Sequence, residues 1–306
     1  MTIITDNNYI NSSIFTCLIM SIFIYSMGEF SSCYIDEDCM NKVLLSYAIS
    51  AFIVSISIYI EYFSKGFDLS SSIYVYSAKN SISQVLFTSI IILMFIDLSK
   101  SKIKMILRIV VILFEFLLII LLRSRTTIIG FFICIGYIIF GKKVNKNLKI
   151  LIITIVLITI ATLLGNDTLT DKFIYNIIFA GRDFSNIDVL TSGRVSIIKS
   201  FPYLIQGHWV TGIGSIYFEC FPMSTILNFG LLVGGIVLWV AYIPIFWSIK
   251  KNNINKYTKM FFIICIGYFI NSFFEGLAPI GPGAKCYFIW LFYGILSKKI
   301  DSHRHF

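Results

Sequence analysis

Arginine is the scarce cation of this 306-residue chain, with six copies against nineteen lysines. Four of the six, Arg123, Arg125, Arg182 and Arg194, stand apart from the lysine clusters that flank the hydrophobic segments. A guanidinium is planar, permanently charged and able to grip phosphate or carboxylate oxygens through two parallel N–H groups, so it suits the holding of an anionic group. The same residues can instead meet lipid headgroups or pair with Asp167, Asp183 and Asp188. Two carboxylates complete the chemistry, Glu219 and Glu275. An acid near arginines stays ionised and can take the proton from an attacking hydroxyl, or it is a plain ion-pair partner for those arginines. His208, the only histidine outside the last four residues, is either a base poised near neutral pH or an interfacial residue beside Trp209.

Other chemistries drop out. The seven cysteines show no CxxC spacing and no neighbouring histidine, so neither a metal site nor a disulfide framework is expected. Thr211-Gly-Ile-Gly-Ser has no strand–turn–helix unit around it and is not a nucleotide fingerprint. Lysines scattered through short loops form no basic face for nucleic acid. Glu115, inside an apolar run, is expected to pair with Arg108 seven residues earlier.

The elements that must position these groups are membrane helices. With 57% hydrophobic and 13% charged residues, and a mean hydropathy of +0.85, the chain lies outside the range of soluble domains. Runs of suitable length are Ile14–Phe30, Val43–Phe63, Ile82–Asp97, Ile103–Leu122, Thr126–Phe140, Leu148–Leu164, Ser224–Trp247, Lys259–Phe274 and Ala284–Leu296, about nine spans in an all-α polytopic fold. Between the sixth and seventh lies a polar interval, Leu163–Pro222, in which Thr170–Ala180 and Arg194–Gln206 carry apolar residues at helical spacing. The chain thus divides into membrane helices over 1–164, a large loop over 165–223, and membrane helices with a short tail over 224–306.

Lysine-rich loops gather on the cytoplasmic side. Lys100, Lys102 and Lys104 form one cluster, Lys142, Lys143, Lys146 and Lys149 the next, Lys250, Lys251 and Lys256 the third, and Lys298, Lys299 and Arg304 the last. Successive clusters are two helices apart, which puts all four inside and the Arg123–Thr126 turn, the loop 165–223 and the turn Glu275–Lys285 outside. The same count puts Asp36-Glu37-Asp38 inside and the N-terminus outside. The start MTIITDNNYINSSIF has no basic region or cleavage pattern of a secretory signal, and an outside N-terminus implies either further helices before it or a first segment that is not a span.

Four motifs occur in order: Lys79-Asn80-Ser-Ile-Ser-Gln before a helix, Ser124-Arg125-Thr126 between helices, Ser192-Gly193-Arg194 opening a loop helix, and Gly212-Ile-Gly214 followed by a helix with Asn228-Phe-Gly230. From about Lys79 to the end, this set resembles the bacterial O-antigen polymerase and ligase superfamily. An arginine and a glycine with ten residues between them, a pattern of the polymerase branch, occur as Arg125 with Gly136 and Arg182 with Gly193. In the ligase branch a histidine stands about eleven residues before the matched Phe-Gly. Glu219 occupies that position here and His208 lies eleven residues too early, which favours the polymerase branch.

The resemblance implies a GT-C-type membrane glycosyltransferase, metal-independent and without cofactor, at the outer face of the bacterial cytoplasmic membrane. It would join undecaprenyl-pyrophosphate-linked oligosaccharides into O-antigen or capsular polysaccharide, beside a flippase and a chain-length regulator. Arg125 and Arg194 would stabilise the pyrophosphate leaving group and Glu219 would be the base. Arg182, Lys79, Asn80, Arg123, His208 and Glu275 would bind substrate. The alternatives are a lipid-linked oligosaccharide transporter or flippase, an O-antigen ligase, and a non-enzymatic partner in envelope assembly.

Overall fold

The computed structural model describes residues 9–64, 79–96, 101–140, 188, 193–214, 218–276, 278–281 and 283–302. The expected span Leu148–Leu164, the expected helix Thr170–Ala180, the lysines at 142–149, Arg182 and the C-terminal histidines lie outside them. The described residues form helices α1 (Tyr9–Ser31), α2 (Glu37–Ser64), α3 (Lys79–Phe95), α4 (Lys102–Leu121), α5 (Arg125–Phe140), α6 (Arg194–Ile205), α7 (Phe221–Lys251), α8 (Lys256–Ser272) and α9 (Ala284–Ser302), with no strand among them. Three carry apolar runs long enough to cross a membrane: Ile14–Ser31 of α1, α2 and α7. α3 and Arg125–Ile138 are apolar but shorter.

Helix ends follow local chemistry. α2 starts six residues before the apolar run because Asp36 Oδ1 accepts from Cys39 N at 2.7 Å, with Glu37 and Asp38 in the favourable first turn. α8 opens with a capping box, Asn255 Oδ1 accepting from Thr258 N at 2.9 Å and Thr258 Oγ1 from Asn255 N at 3.1 Å. α7 has a proline in its first turn and lysines 250 and 251 in its last, and so outruns its apolar core at both ends. Phe15, Ile19, Ile22 and Phe23 of α1, Ile53, Ile60 and Phe63 of α2, and Leu232, Ile236 and Trp239 of α7 are exposed. So much outward apolar surface is the face a helix presents to hydrocarbon, and the described residues are those of a helical membrane protein.

The chain forms two compact units, residues 1–40 with 191–306 and residues 41–190. In the first, α1 and α9 run parallel, Tyr25 lying against Tyr293 at 4.9 Å. They approach so closely at Gly28 and Gly294 that a Cβ on either would overlap backbone of the other helix. α7 and α8 form an antiparallel hairpin, and Trp247 and Phe292 flank Phe261 at 6.1 and 5.7 Å.

In the second unit α3 and α4 form a hairpin against which α5 packs through Phe131, 4.8 Å from Phe116 and 6.3 Å from Phe87. The expected Arg108–Glu115 pair does not form. Glu115 Oε1 accepts from Ser89 Oγ at 3.0 Å, and Arg108 donates to the Ile96 carbonyl at 3.3 Å. Seven residues span two helical turns, about 10 Å along the axis, and the neighbouring helix offers nearer partners to both.

Candidate functional site

In the first unit the polar groups collect where α6, α7, α8 and α9 have adjacent ends. Gly193, at φ +79°, precedes α6, whose first residue is Arg194. A small apolar cluster of Ile205, Phe218, Cys220 and Leu227, joined by Ile197, Phe201, Ile213, Met223 and Ile226, seats α6 over the first turns of α7. That seating brings Arg194 to Glu219, 25 residues away in sequence, with Nε 3.4 Å from Oε2. The distance makes an ion pair, yet Nε itself has no hydrogen bond among the described residues, because its N–H is not aimed at the carboxylate. The other fork nitrogen donates to the Phe274 carbonyl at 3.5 Å, and the guanidinium carbon lies 5.5 Å from the Phe274 ring centre. The Arg194 and Glu219 side chains are 19% and 42% exposed, so the carboxylate is the more open of the two and the guanidinium is half-buried with its Nε away from solvent.

Phe274 leads directly to Glu275, whose carboxylate is held by Lys285 Nζ at 2.9 Å, the two side chains 14% and 9% exposed. Sequence reading missed Lys285: a single lysine opening an apolar helix looks like a span boundary, although its place at the far end of the Glu275 turn was a usable signal. It missed Asn271 as well, one helical turn before Glu275 and 2% exposed, with neither amide atom hydrogen-bonded among the described residues. Burial pushes the Cys220 thiol beside Glu219 up, offset in part by a backbone hydrogen bond to Met223, so it remains a neutral core group and not a nucleophile.

α7 is broken at Gly230, which adopts φ 73° and ψ 178° inside the helix. The loop after α6 fills the gap: Leu231 N donates to Trp209 O and Ile213 N to Leu227 O, each at 2.7 Å. The backbones are so close that a Cβ at Gly212 would lie 2.6 Å from Asn228 O, and one at Gly230 would overlap the Val210 carbonyl. His208 is exposed in this loop, and among the described residues it bonds through its backbone, His208 N donating to Ile205 O and Gly212 N to His208 O, each at 2.8 Å.

The second unit gathers the remaining candidates at one end of α3 and α5. Asn80 Oδ1 accepts from Ser124 Oγ at 3.1 Å, and Ser124 shares a hydrogen bond of 3.0 Å with Thr127. Lys79 opens α3, Arg125 opens α5, and Arg123 is buried between α4 and α5 at φ 52°, a left-handed conformation that costs a non-glycine residue about 1–3 kcal/mol. Ser83, Gln84 and Thr126 are buried there with side-chain atoms unpaired among the described residues. Ser83 and Gln84 follow Asn80 on one helical face, a periodicity legible within the Lys79–Gln84 motif. Gly136, eleven positions after Arg125, faces open space, so that spacing meets no steric demand.

The first unit therefore brings Arg194, Glu219 and Glu275 together, and the second brings Lys79, Asn80, Arg123 and Arg125 to one end. The chemistry available to the first is anion binding at a partly buried guanidinium beside a more exposed carboxylate able to receive a proton. No known protein family, no curated protein and no solved structure matches this chain.

Proposed function

We propose that this protein is a membrane glycosyltransferase that polymerises undecaprenyl-pyrophosphate-linked oligosaccharide repeat units into O-antigen or capsular polysaccharide. It would do so through about nine spans at the outer face of the bacterial cytoplasmic membrane. The observation that carries the reading is the partly exposed Arg194–Glu219 pair, 3.4 Å apart, at one end of a lipid-facing bundle. In the reaction an acceptor hydroxyl attacks the anomeric carbon of the growing chain. The new C–O bond forms as the bond to pyrophosphate breaks, the hydroxyl proton passes to Glu219, and the charge gathering on the pyrophosphate is met by Arg194. A preorganised donor aimed at such charge contributes several kcal/mol, about 3–4 in measured cases. Arg125, in the second unit, is the other arginine to which the resemblance gives a role toward such charge. Lys79, Asn80, Arg123, Arg182, His208 and Glu275 take the binding roles.

Expression in a strain that lacks its own polysaccharide polymerase tests this. A ladder of glycan chain lengths is expected with the intact protein and single repeat units with Arg194→Ala. Single units with the intact, membrane-inserted protein overturn the reading. Arg194→Lys keeps the charge and removes the fork, so a full ladder there would show that charge alone suffices.

The break in α7 at Gly230 favours a second reading, a transporter of the same lipid-linked units, since interrupted helices recur in transporters. Repeat units that cross the membrane without lengthening would select it.

A further inference from the structure

The first unit carries a second polar site at its other end, which α7 separates from Glu219 by roughly 40 Å. There the start of α2, the α7–α8 turn and the end of α9 enclose a cleft of about 600 Å³. Its floor is apolar, with Met40, Leu296 and Ile300 all buried. Its polar wall consists of Lys256, Tyr257 and Lys299, with Glu37 at the mouth. Lys256 Nζ lies 2.9 Å from Glu37 Oε1, and the Tyr257 hydroxyl donates to the same oxygen at 3.3 Å. Lys299 donates to the Ile35 carbonyl. Two ammonium groups and a phenol O–H thus converge on a space in which the resident anion is a glutamate whose side chain is 69% exposed. Burial raises the Tyr257 hydroxyl above its ordinary value, so it remains a neutral donor.

The surroundings attract anions. Residues 36–40, 250–259 and 296–302, which surround the cleft, carry six lysines against four carboxylates. Exposed Phe246 and Ile249 near the end of α7 and exposed Ile254 in the α7–α8 turn, which lines the cleft, add apolar surface beside it of the kind that an acyl chain covers. A compact anion with several acceptor oxygens fits the donors, and an apolar tail fits the floor and this surface.

We propose that this cleft binds a phosphate-bearing group, with Lys256, Lys299 and Tyr257 as its donors and Glu37 as the competing anion that the phosphate displaces. The source is the headgroup of an anionic phospholipid or a soluble phosphate compound, and binding tells them apart.

The full chain, purified in detergent, is titrated with mixed micelles containing phosphatidylglycerol, with phosphatidylcholine micelles, and with inorganic phosphate, reading the thermal midpoint and lipid retention in native mass spectrometry. Stabilisation by phosphatidylglycerol and not by phosphatidylcholine supports a lipid ligand. Stabilisation by inorganic phosphate supports a soluble one. Lys256→Gln with Lys299→Gln should weaken binding at least about tenfold, the loss of one charge-assisted hydrogen bond or more. Glu37→Gln should tighten it, because the competitor is gone, while Asp301→Asn, which removes an equal charge from outside the lining, should leave it unchanged. The Glu37→Gln arm is a gain of binding, so it keeps the proposal falsifiable if the double variant unfolds. Response to neither phosphatidylglycerol nor phosphate overturns the proposal. So does equal tightening by Glu37→Gln and Asp301→Asn, which would mean diffuse attraction and not a site.

Discussion

Two ion pairs at the same end of the first unit have opposite characters. Glu275–Lys285 is short, at 2.9 Å, and nearly closed to solvent, whereas Arg194–Glu219 is longer, at 3.4 Å, and its carboxylate is 42% exposed. Burial decides what each can do. A buried pair is locked, because removing either member strands a charge away from water. An exposed pair gains little from its own attraction and can trade one partner for another at small cost. The two are joined through the chain, since Arg194 donates to the carbonyl of Phe274, the residue before Glu275. The locked pair therefore fixes the turn against which the exchangeable arginine leans.

The largest expected effect breaks the locked pair. Lys285→Met leaves Glu275 without its cation in a site of low exposure, and loss of one partner of a buried pair costs about 3–5 kcal/mol. The thermal midpoint in detergent should fall by many degrees, and Glu275→Gln added to Lys285→Met should recover most of the loss. If the single variant melts with the intact protein, the pair is not locked and the contrast fails. Lys285 and Glu275 would then belong with the exchangeable groups.

Next in size is the support of the exposed pair. Ile213 reaches the apolar cluster beneath α6 only because the loop 208–214 is tied to the break in α7 through Leu231 N–Trp209 O and Ile213 N–Leu227 O. Gly230→Ala forces a side chain into a left-handed position and onto the Val210 carbonyl, with a backbone cost alone of about 1–3 kcal/mol. Stability should drop by that much or more, and protease nicking near residue 210 should rise. Unchanged proteolysis would mean that the loop does not depend on the break.

The same two regions show how far sequence reading reaches. Apolar run length gave the helices of α1, α2 and α7, and apolar spacing placed α6 within one residue of its end, because burial period is written locally. The starts of α2 and α8 were set by Asp36 and by the Asn255–Thr258 box, side chains just outside the apolar runs. The break at Gly230 was not legible, since Ser224–Trp247 reads as one unbroken apolar run and the break is completed by backbone from residues 209–213. Residue type marked Arg194 and Glu219 as reactive. Their pairing across 25 residues, and that of Glu275 with Lys285, rests on tertiary packing that no local pattern carries. Arg108 and Glu115 fail for the converse reason, a local spacing overruled by Ser89 and the Ile96 carbonyl.

The smallest expected effect on stability separates the two roles of Glu219. Glu219→Gln keeps the shape of the side chain and a carbonyl oxygen for Arg194, so an exposed pair of this kind should lose less than about 1 kcal/mol. The amide, however, cannot take a proton from an acceptor hydroxyl, and loss of a general base costs about 10²–10⁴ in rate. A variant that melts with the intact protein yet gives only single repeat units would therefore mark Glu219 as the proton acceptor. A full ladder from the same variant would leave Glu219 as nothing more than the resting partner of Arg194, a placeholder for the pyrophosphate. The arginine would then keep its role while the base would have to be sought at Glu275 or His208, of which the first is held by Lys285 and the second stands exposed in the loop.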